Sequence, residues 1–164
     1  MKIYRVLIFF ILLLFLSSCT SSKETCSTFN YESFETQILD STAFRTYKVN
    51  VYHNNGFVTK VKSIENYILV EGSIDDFKFS SEVNKITFSD ERFNYDGFEY
   101  SDEITDSSFE FIMTFDYTKL DLKEITENKN DLIPFTNIVN SDNKIPYDKI
   151  YKELIDIGFE LEDN

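Results

Sequence analysis

The sequence predicts an α+β domain in which an antiparallel sheet of four or five strands carries a C-terminal amphipathic helix on one face. Three observations predict it. Apolar and polar residues alternate on both sides of an Asn-Gly pair over 46–64, apolar side chains alternate again over 109–117, and apolar residues recur with helical spacing over 147–154. A segment of roughly 130 residues with this pattern forms one ordinary domain.

The first eighteen residues predict a signal peptide. Lys2 and Arg5 give a basic start, and eleven apolar residues follow without a break over 6–16. This run has the length of a secretory apolar core, and it is too short for a spanning helix, which needs about 20 apolar residues. We therefore expect residues 1–18 to be removed on export.

Leu16, Ser17, Ser18 and Cys19 end the apolar run. These four residues resemble the bacterial lipobox. The resemblance implies that the signal peptidase recognises Leu16, Ser17 and Ser18, that the chain is cut after Ser18, and that the thiol of Cys19 receives the lipid. The alternative is an ordinary secretory signal with an incidental cysteine.

Lipid attachment at Cys19 would anchor the exported protein to a membrane of the bacterial cell envelope. Stable anchoring takes two acyl chains such as palmitate, and a lipid-modified cysteine of this type carries at least two. Residues 19–28, rich in Ser and Thr, are predicted to be a flexible tether, and residues 29–164 a single globular domain.

The charge of the chain disfavours two classes of partner. There are 16 basic and 29 acidic residues, and loss of Lys2 and Arg5 with the signal leaves a net charge of −15. So acidic a surface repels nucleic-acid phosphates and anionic lipid headgroups. We expect no nucleic-acid partner, and a domain that hangs from its lipid rather than lying on the membrane.

Cysteine usage is minimal, because the chain has only Cys19 and Cys26. With Cys19 acylated, Cys26 has no partner for an intrachain disulfide. We expect an exposed free thiol, and an intermolecular or mixed disulfide is the alternative.

The segments that flank the Asn-Gly pair form a hairpin with one of two loop lengths. A two-residue turn places Val49 opposite Lys62, whereas a three-residue loop over 54–56 places Val49 opposite Val61. Because register is set by keeping apolar side chains on one face of a sheet, the three-residue loop is predicted.

The segment 73–94 has two interpretations. Phe79, Val83 and Ile86 recur with helical spacing after a Ser-x-Asp-Asp start, which favours a helix over about 74–84. Phe77 and Phe79 also alternate as in a strand, and that alternative stays open.

Two further strands are predicted as an antiparallel pair over 97–100 and 109–117, with the second continuing through Leu120 and Leu122. Residues 124–143 have the composition of a mixed loop. The helix over 146–157 begins with a proline, which suits the first helical position, and Gly158 suits its C-terminal cap.

Residues for catalysis or metal binding are sparse. The chain has one histidine, His53, which shares a strand face with valines and is expected to pack at a core edge with one ring nitrogen hydrogen-bonded. Residues 92–103 match part of a calcium EF-hand loop, but Arg92 stands where the first anionic ligand belongs. The sequence predicts no catalytic residue, no metal site and no cofactor.

The order of elements resembles the YehR-like small bacterial lipoproteins over roughly residues 44–164. The resemblance rests on Tyr47-Lys48-Val49, Asn55-Gly56, the run 111–116 with Lys119-Leu120-Asp121, and residues 150–159. It implies a compact α+β domain tethered to a membrane, with no established activity and no catalytic residues to carry over.

The function predicted is a lipid-anchored, non-catalytic binding or envelope-interaction module. A hydrolase is the first alternative, and it needs two acids that converge in one pocket with their pKa values pushed apart. A binder of a small ligand is the second, and it needs a concave apolar pocket of about 300 Å³ or more.

The second face of the sheet has two possible roles. It is either a partner surface with several exposed Tyr and Phe, of which Tyr52 is one example, or it is covered by the segment 73–94.

Overall fold

A computed structural model describes residues 23–127 and 133–162. The predicted signal peptide, the lipobox residues Leu16, Ser17 and Ser18, and the lipid acceptor Cys19 lie outside the described residues. Strand β1 already begins at Thr25, so residues 25–28, predicted as part of a flexible tether, are instead paired in the sheet.

The described chain forms seven strands, three α-helices and two short 3₁₀ turns. In chain order the main elements are β1 (Thr25–Ile38), β2 (Ser41–Asn54), β3 (Phe57–Glu71), α1 (Ile74–Phe88), β4 (Phe98–Ile104), β5 (Ser108–Asp116), α2 (Leu122–Glu127), β6 (Ile145–Pro146), α3 (Tyr147–Asp156) and β7 (Phe159–Leu161).

All seven strands belong to one antiparallel sheet in the order β4-β5-β3-β2-β1-β7, with β6 paired to the turn end of β3. The α+β class is confirmed, but the sheet is larger than the predicted four or five strands. The three strands missed by the periodicity are β1, β6 and β7.

Strand β1 was missed because its apolar alternation changes phase. Phe29 and Tyr31 face the same side, and a bulge between Tyr31 and Phe34 then moves Phe34 onto that side as well. A bulge adds one residue and so interrupts a period of two. The β6 and β7 strands have two and three residues, too few to give a pattern.

The β2–β3 hairpin has neither of the two registers considered from the sequence, since Val49 pairs with Ser63. Asn55 and Gly56 form a two-residue turn with positive φ angles of 52° and 79°, as expected of an Asn-Gly pair. A bulge at Thr59 then adds one residue, so Val51 pairs with Val61 and the apolar side chains still share one face. The expectation that apolar side chains share one face was right, but the predicted three-residue loop was wrong, because the extra residue lies in the strand.

Helix α1 confirms the helical interpretation of the middle segment. Ser73 is its N-cap and accepts a hydrogen bond from Asp75 N, and the helix continues to Phe88, beyond the predicted end. Phe77 and Ser81 face the sheet. The stripe that predicted the helix, Phe79, Val83 and Ile86, points away from the sheet and is 44–72% exposed.

Both long helices lie on the same face of the sheet. Helix α1 covers Ala43 and Phe109, and α3 covers Val49 and Val51, which follow Ala43 on the same face of β2. A strand of 14 residues extends about 46 Å, whereas helices of 15 and 10 residues extend about 22 and 15 Å. One face is therefore long enough for two helices with a gap between them.

The other face of the sheet has no helix on it in the described part of the chain. Tyr52 lies on this face, partly exposed, and α1 does not cover it, so the predicted covering by 73–94 is wrong. Phe44 lies on the same face of β2 as Tyr52 and is 37% exposed, whereas Phe109, Phe111 and Phe115 face the helices.

Two predictions near the C-terminus have opposite outcomes. The chain does not continue as a strand through Leu120 and Leu122: it turns after Asp116, and α2 begins at Leu122. Helix α3 is confirmed, with Ile150 and Leu154 buried and Gly158 at a φ of 98°, but Pro146 is its N-cap rather than its first helical residue. Within the described residues, each helix falls short of the length and apolarity needed to cross a bilayer.

Candidate functional site

A cavity of about 390 Å³ lies in the gap between α1 and α3. We name it the inter-helix pocket. Its floor is the centre of the sheet, to which three strands contribute Tyr47, Val49, Val61, Ser63, Met113 and Phe115. One wall is formed by Phe88 at the end of α1 and by Phe93 after it. The opposite wall is formed by Leu154, Ile157 and Phe159.

The lining of the pocket is almost entirely apolar. Pro134 and Phe135 close it between the two walls, and Ile157 at its rim is 57% exposed. The volume exceeds the threshold of about 300 Å³ set for a small-ligand binder. Concavity, apolar walls and an accessible rim together fit an apolar molecule.

A small residue in the middle of an apolar row contributes to the pocket. Ser63 pairs with Val49 on β2 and with Met113 on β5, and all three side chains face the helices. A leucine or phenylalanine at Ser63 would fill the space above the sheet. The small side chain of Ser63 therefore adds to the space that the gap between α1 and α3 leaves above the sheet.

Ser63 also places a buried hydroxyl group in the floor of the pocket. The residue is only 6% exposed, and its Oγ has no ordinary hydrogen-bond partner in the described structure. The hydroxyl of Tyr47 lies nearby: burial raises the pKa of that phenol, and its contact with Ser63 acts in the opposite direction. An unpaired buried hydroxyl costs about 1–3 kcal/mol, so it calls for an explanation.

A charged group adjoins the pocket behind Tyr47. Arg45 Nη2 donates to Glu65 Oε2 over 2.5 Å, and Tyr67 donates its hydroxyl to the same oxygen over 2.7 Å. The Arg45 guanidinium also lies 5.3–5.7 Å from the ring centres of Phe34, Tyr47 and Tyr67. Burial, with the nearby Glu65, raises the pKa of Tyr67 far above its ordinary value.

His53 lies away from the pocket, and its predicted environment is confirmed. Its ring stacks on Tyr147 with centroids 3.9 Å apart, and Nε2 is 3.4 Å from Ser27 Oγ. Partial burial lowers the pKa of His53, with Glu24 opposing the shift. The imidazole lies at the core edge, where burial favours its uncharged form.

The two most buried carboxylates do not converge. Glu65 is held by Arg45, and Asp102 accepts a hydrogen bond from Ser81 and lies 3.8 Å from Lys85. Phe111, on the strand between them, pairs with both residues. The hydrolase alternative needed two acids sharing one pocket, and each of these is committed to a partner of its own.

Other candidate groups are dispersed. The EF-hand-like residues are split between a turn at Asp96 and strand β4, which contains Glu103. Over 23–127 and 133–162 no three His, Cys, Asp or Glu side chains gather as metal ligands would. Cys26 is exposed and unbridged on β1, as predicted.

The pocket residues were missed by sequence reasoning. Alternation placed Val49, Met113 and Phe115 on a core face, and nothing local indicated that two helices would leave part of that face open. One signal was available: Ser63 follows Val61 on the apolar face of a strand, where a small polar residue breaks the pattern.

Comparison with known proteins supports the fold alone. No protein-family description matches the sequence, and no curated protein matches it. An NMR structure of a Streptococcus pneumoniae TIGR4 protein matches with a TM-score of 0.57 at 10% identity, over 88% of each chain. The NMR structure of the Escherichia coli YehR protein matches with a TM-score of 0.57 at 17% identity, over 87% of this chain and 93% of that one. The predicted resemblance to YehR-like proteins is therefore confirmed in three dimensions.

Proposed function

We propose that the protein is a membrane-tethered bacterial lipoprotein whose domain binds a small apolar ligand in the inter-helix pocket. The observation that carries the binding proposal is the 390 Å³ cavity with apolar walls between α1 and α3. Ligand sites are concave, mostly apolar and few per protein. The proposal combines two sequence-based hypotheses, the non-catalytic binding module and the alternative of a small-ligand binder.

The rim of the pocket supports exchange of ligand with the surroundings. Ile157 lines the cavity and is largely exposed. A lipid at Cys19 would hold the domain near a membrane, because the six residues from Cys19 to Glu24 span at most about 21 Å when extended. Apolar molecules concentrate in a bilayer, so the tether would keep the pocket near its source of ligand.

The tether is tested by mass. Intact protein taken from native membranes should begin at Cys19 and carry acyl mass. Cys19→Ser should leave the chain uncleaved or unattached, because the acceptor thiol is gone. An unmodified wild-type chain with another N-terminus would refute the tether.

The pocket is tested by photolabelling the full-length protein in its membrane with decan-1-ol that carries an alkyl diazirine. Mass-mapped crosslinks should fall on Phe88, Met113 and Leu154, which line the cavity. Ile157→Trp should reduce these crosslinks severalfold by blocking the rim. Ile155→Trp is the matched control, because Ile155 is exposed two residues away and does not line the cavity.

One outcome would contradict the binding proposal, and another would contradict entry through the rim. Labels spread over the exposed surface with no excess in the pocket would show that the cavity takes no ligand. Equal labelling of the Ile157→Trp and Ile155→Trp proteins at pocket residues would show that entry is not through the rim.

A further inference from the structure

We propose that the inter-helix pocket takes an amphipathic molecule whose uncharged hydroxyl or carbonyl group bonds Ser63 Oγ on the floor, while its apolar part lies against the walls. This inference rests on the proposed binding function and specifies the chemical class of the ligand. It follows from three features of the floor and its surroundings.

The first feature is the unsatisfied hydroxyl. Ser63 lines the cavity, and its buried Oγ makes no hydrogen bond of normal length and angle to another described residue, the nearby Tyr47 hydroxyl included. Buried polar atoms in native structures nearly always have a partner, and an exception needs an explanation. A ligand group that donates to or accepts from Ser63 would supply the missing bond at the floor of the pocket.

The second feature is the sequence position of Ser63. On β3 the side chains that face the helices include Val61, Ser63 and Tyr67, and the cross-strand neighbours of Ser63 are Val49 and Met113. An apolar side chain there would complete the core and leave no buried polar atom. The serine leaves space above the sheet and places a hydroxyl on a residue that lines the cavity.

The third feature is that the charged residues described beside the floor, Arg45 and Glu65, are already paired. Arg45 and Glu65 are joined at 2.5 Å, so each is already neutralised by the other. A charged ligand group would lose its water and find no unpaired counterion among the described residues beside the floor, which is far more costly than burying a neutral polar group with a partner. The floor therefore selects for a neutral group over a carboxylate or an ammonium.

Three photolabels of equal length distinguish these classes. They are decane, decan-1-ol and decanoic acid, each with the same alkyl diazirine, applied to full-length protein in its membrane. For each probe we compare the half-saturating concentration for pocket crosslinks in Ser63→Ala with that in wild type. This ratio cancels the different partitioning of the probes into the bilayer.

The ratio for decanol should be about threefold to tenfold, the equivalent of one neutral hydrogen bond. The ratio for decane should be one or lower, and decanoate should label the pocket least. Ser63→Thr retains the hydroxyl and should return the decanol ratio toward one, which a change in pocket shape alone would not do.

Each contrary result has a distinct meaning. A decanol ratio of one, or the strongest pocket labelling by decanoate, would overturn the inference while leaving apolar binding intact. Failure of all three probes to label the pocket in wild type would overturn the proposed function and the inference with it.

Discussion

Arg45 and Glu65 form an ion pair of 2.5 Å on the helix-covered face of the sheet, between the apolar cluster under α1 and the larger cluster under α3. Glu65 stands on β3 beside Ser63, and its side chain is 9% exposed. The pair therefore occupies the boundary between the two helices, next to the pocket.

Removal of one member of this pair should destabilise the domain strongly. Arg45→Met leaves the carboxylate of Glu65 buried with only the Tyr67 hydroxyl as its partner. Breaking a buried pair costs about 3–5 kcal/mol, and partial exposure of Arg45 places the expected loss at the lower end. Urea unfolding at pH 7 measures it.

An exposed ion pair provides the control. Lys78 and Asp75 are 2.8 Å apart on the surface of α1, and Lys78→Met should cost no more than about 0.5 kcal/mol. Equal losses in the two variants would show that the Arg45–Glu65 pair behaves as a surface pair.

Docking of α3 is measured by Leu154→Ala. Leu154 is buried against the sheet, and loss of a buried leucine costs about 2–5 kcal/mol. Ile155→Ala, at the exposed neighbouring position, should change the free energy of unfolding by less than about 0.5 kcal/mol. A small loss for Leu154→Ala would mean that α3 does not pack there.

Two glycines with positive φ angles should differ in their tolerance of alanine. A Cβ at Gly72 would lie 2.7 Å from Ser41 Cα, whereas a Cβ at Gly56 would meet no atom within 4 Å. Gly56→Ala should cost about 1 kcal/mol of backbone strain, and Gly72→Ala should cost clearly more because the backbone must also move. Thermal unfolding of both variants provides the comparison, and equal melting temperatures would contradict the close approach.

The environment of His53 predicts a pH effect. Burial favours the neutral imidazole, so the folded pKa lies below 6.5 and the unfolded chain binds the proton first as pH falls. The contribution of His53 to stability is therefore complete above pH 6.5 and declines as pH drops from there through the folded pKa. His53 is the one histidine, so its ring signals in a proton NMR titration report this pKa directly.

Tyr147→Ala tests whether burial against Tyr147 lowers the pKa of His53. It removes the stacked ring at 3.9 Å, and it should raise the pKa of His53 toward 6.5. A pKa above 6.5 in the wild type, or no change in the variant, would mean that burial against Tyr147 does not set the titration.

Local patterns determined much of the fold correctly. The period of two located the cores of β2, β3 and β5, and the helical spacing located α3, because each of these elements has one face against the same large core. The Asn-Gly turn was visible in the sequence. The bulge at Thr59 was not, because no particular residue type marks the position of a bulge.

The site was less accessible to sequence reasoning because it depends on where two helices stop. Phe88 ends α1 and Leu154 lies near the end of α3, and the space between them is set by packing across the sheet rather than by either local sequence. The spacing of Phe79, Val83 and Ile86 predicted the helix correctly, but these residues are exposed, so the spacing did not identify the side of the helix that packs on the sheet.

The order of the strands has a consequence for how the domain assembles. Strands β1, β2 and β3 follow one another through two-residue turns, so they can pair as soon as they are made, on the microsecond scale of hairpins. Strand β5 must wait until α1 and β4 have been folded back, because it pairs with the free edge of β3. The pocket takes part of its floor from β5 and one wall from the C-terminal residues, so we expect it to be completed last, and an intermediate with a native three-stranded meander would still lack it.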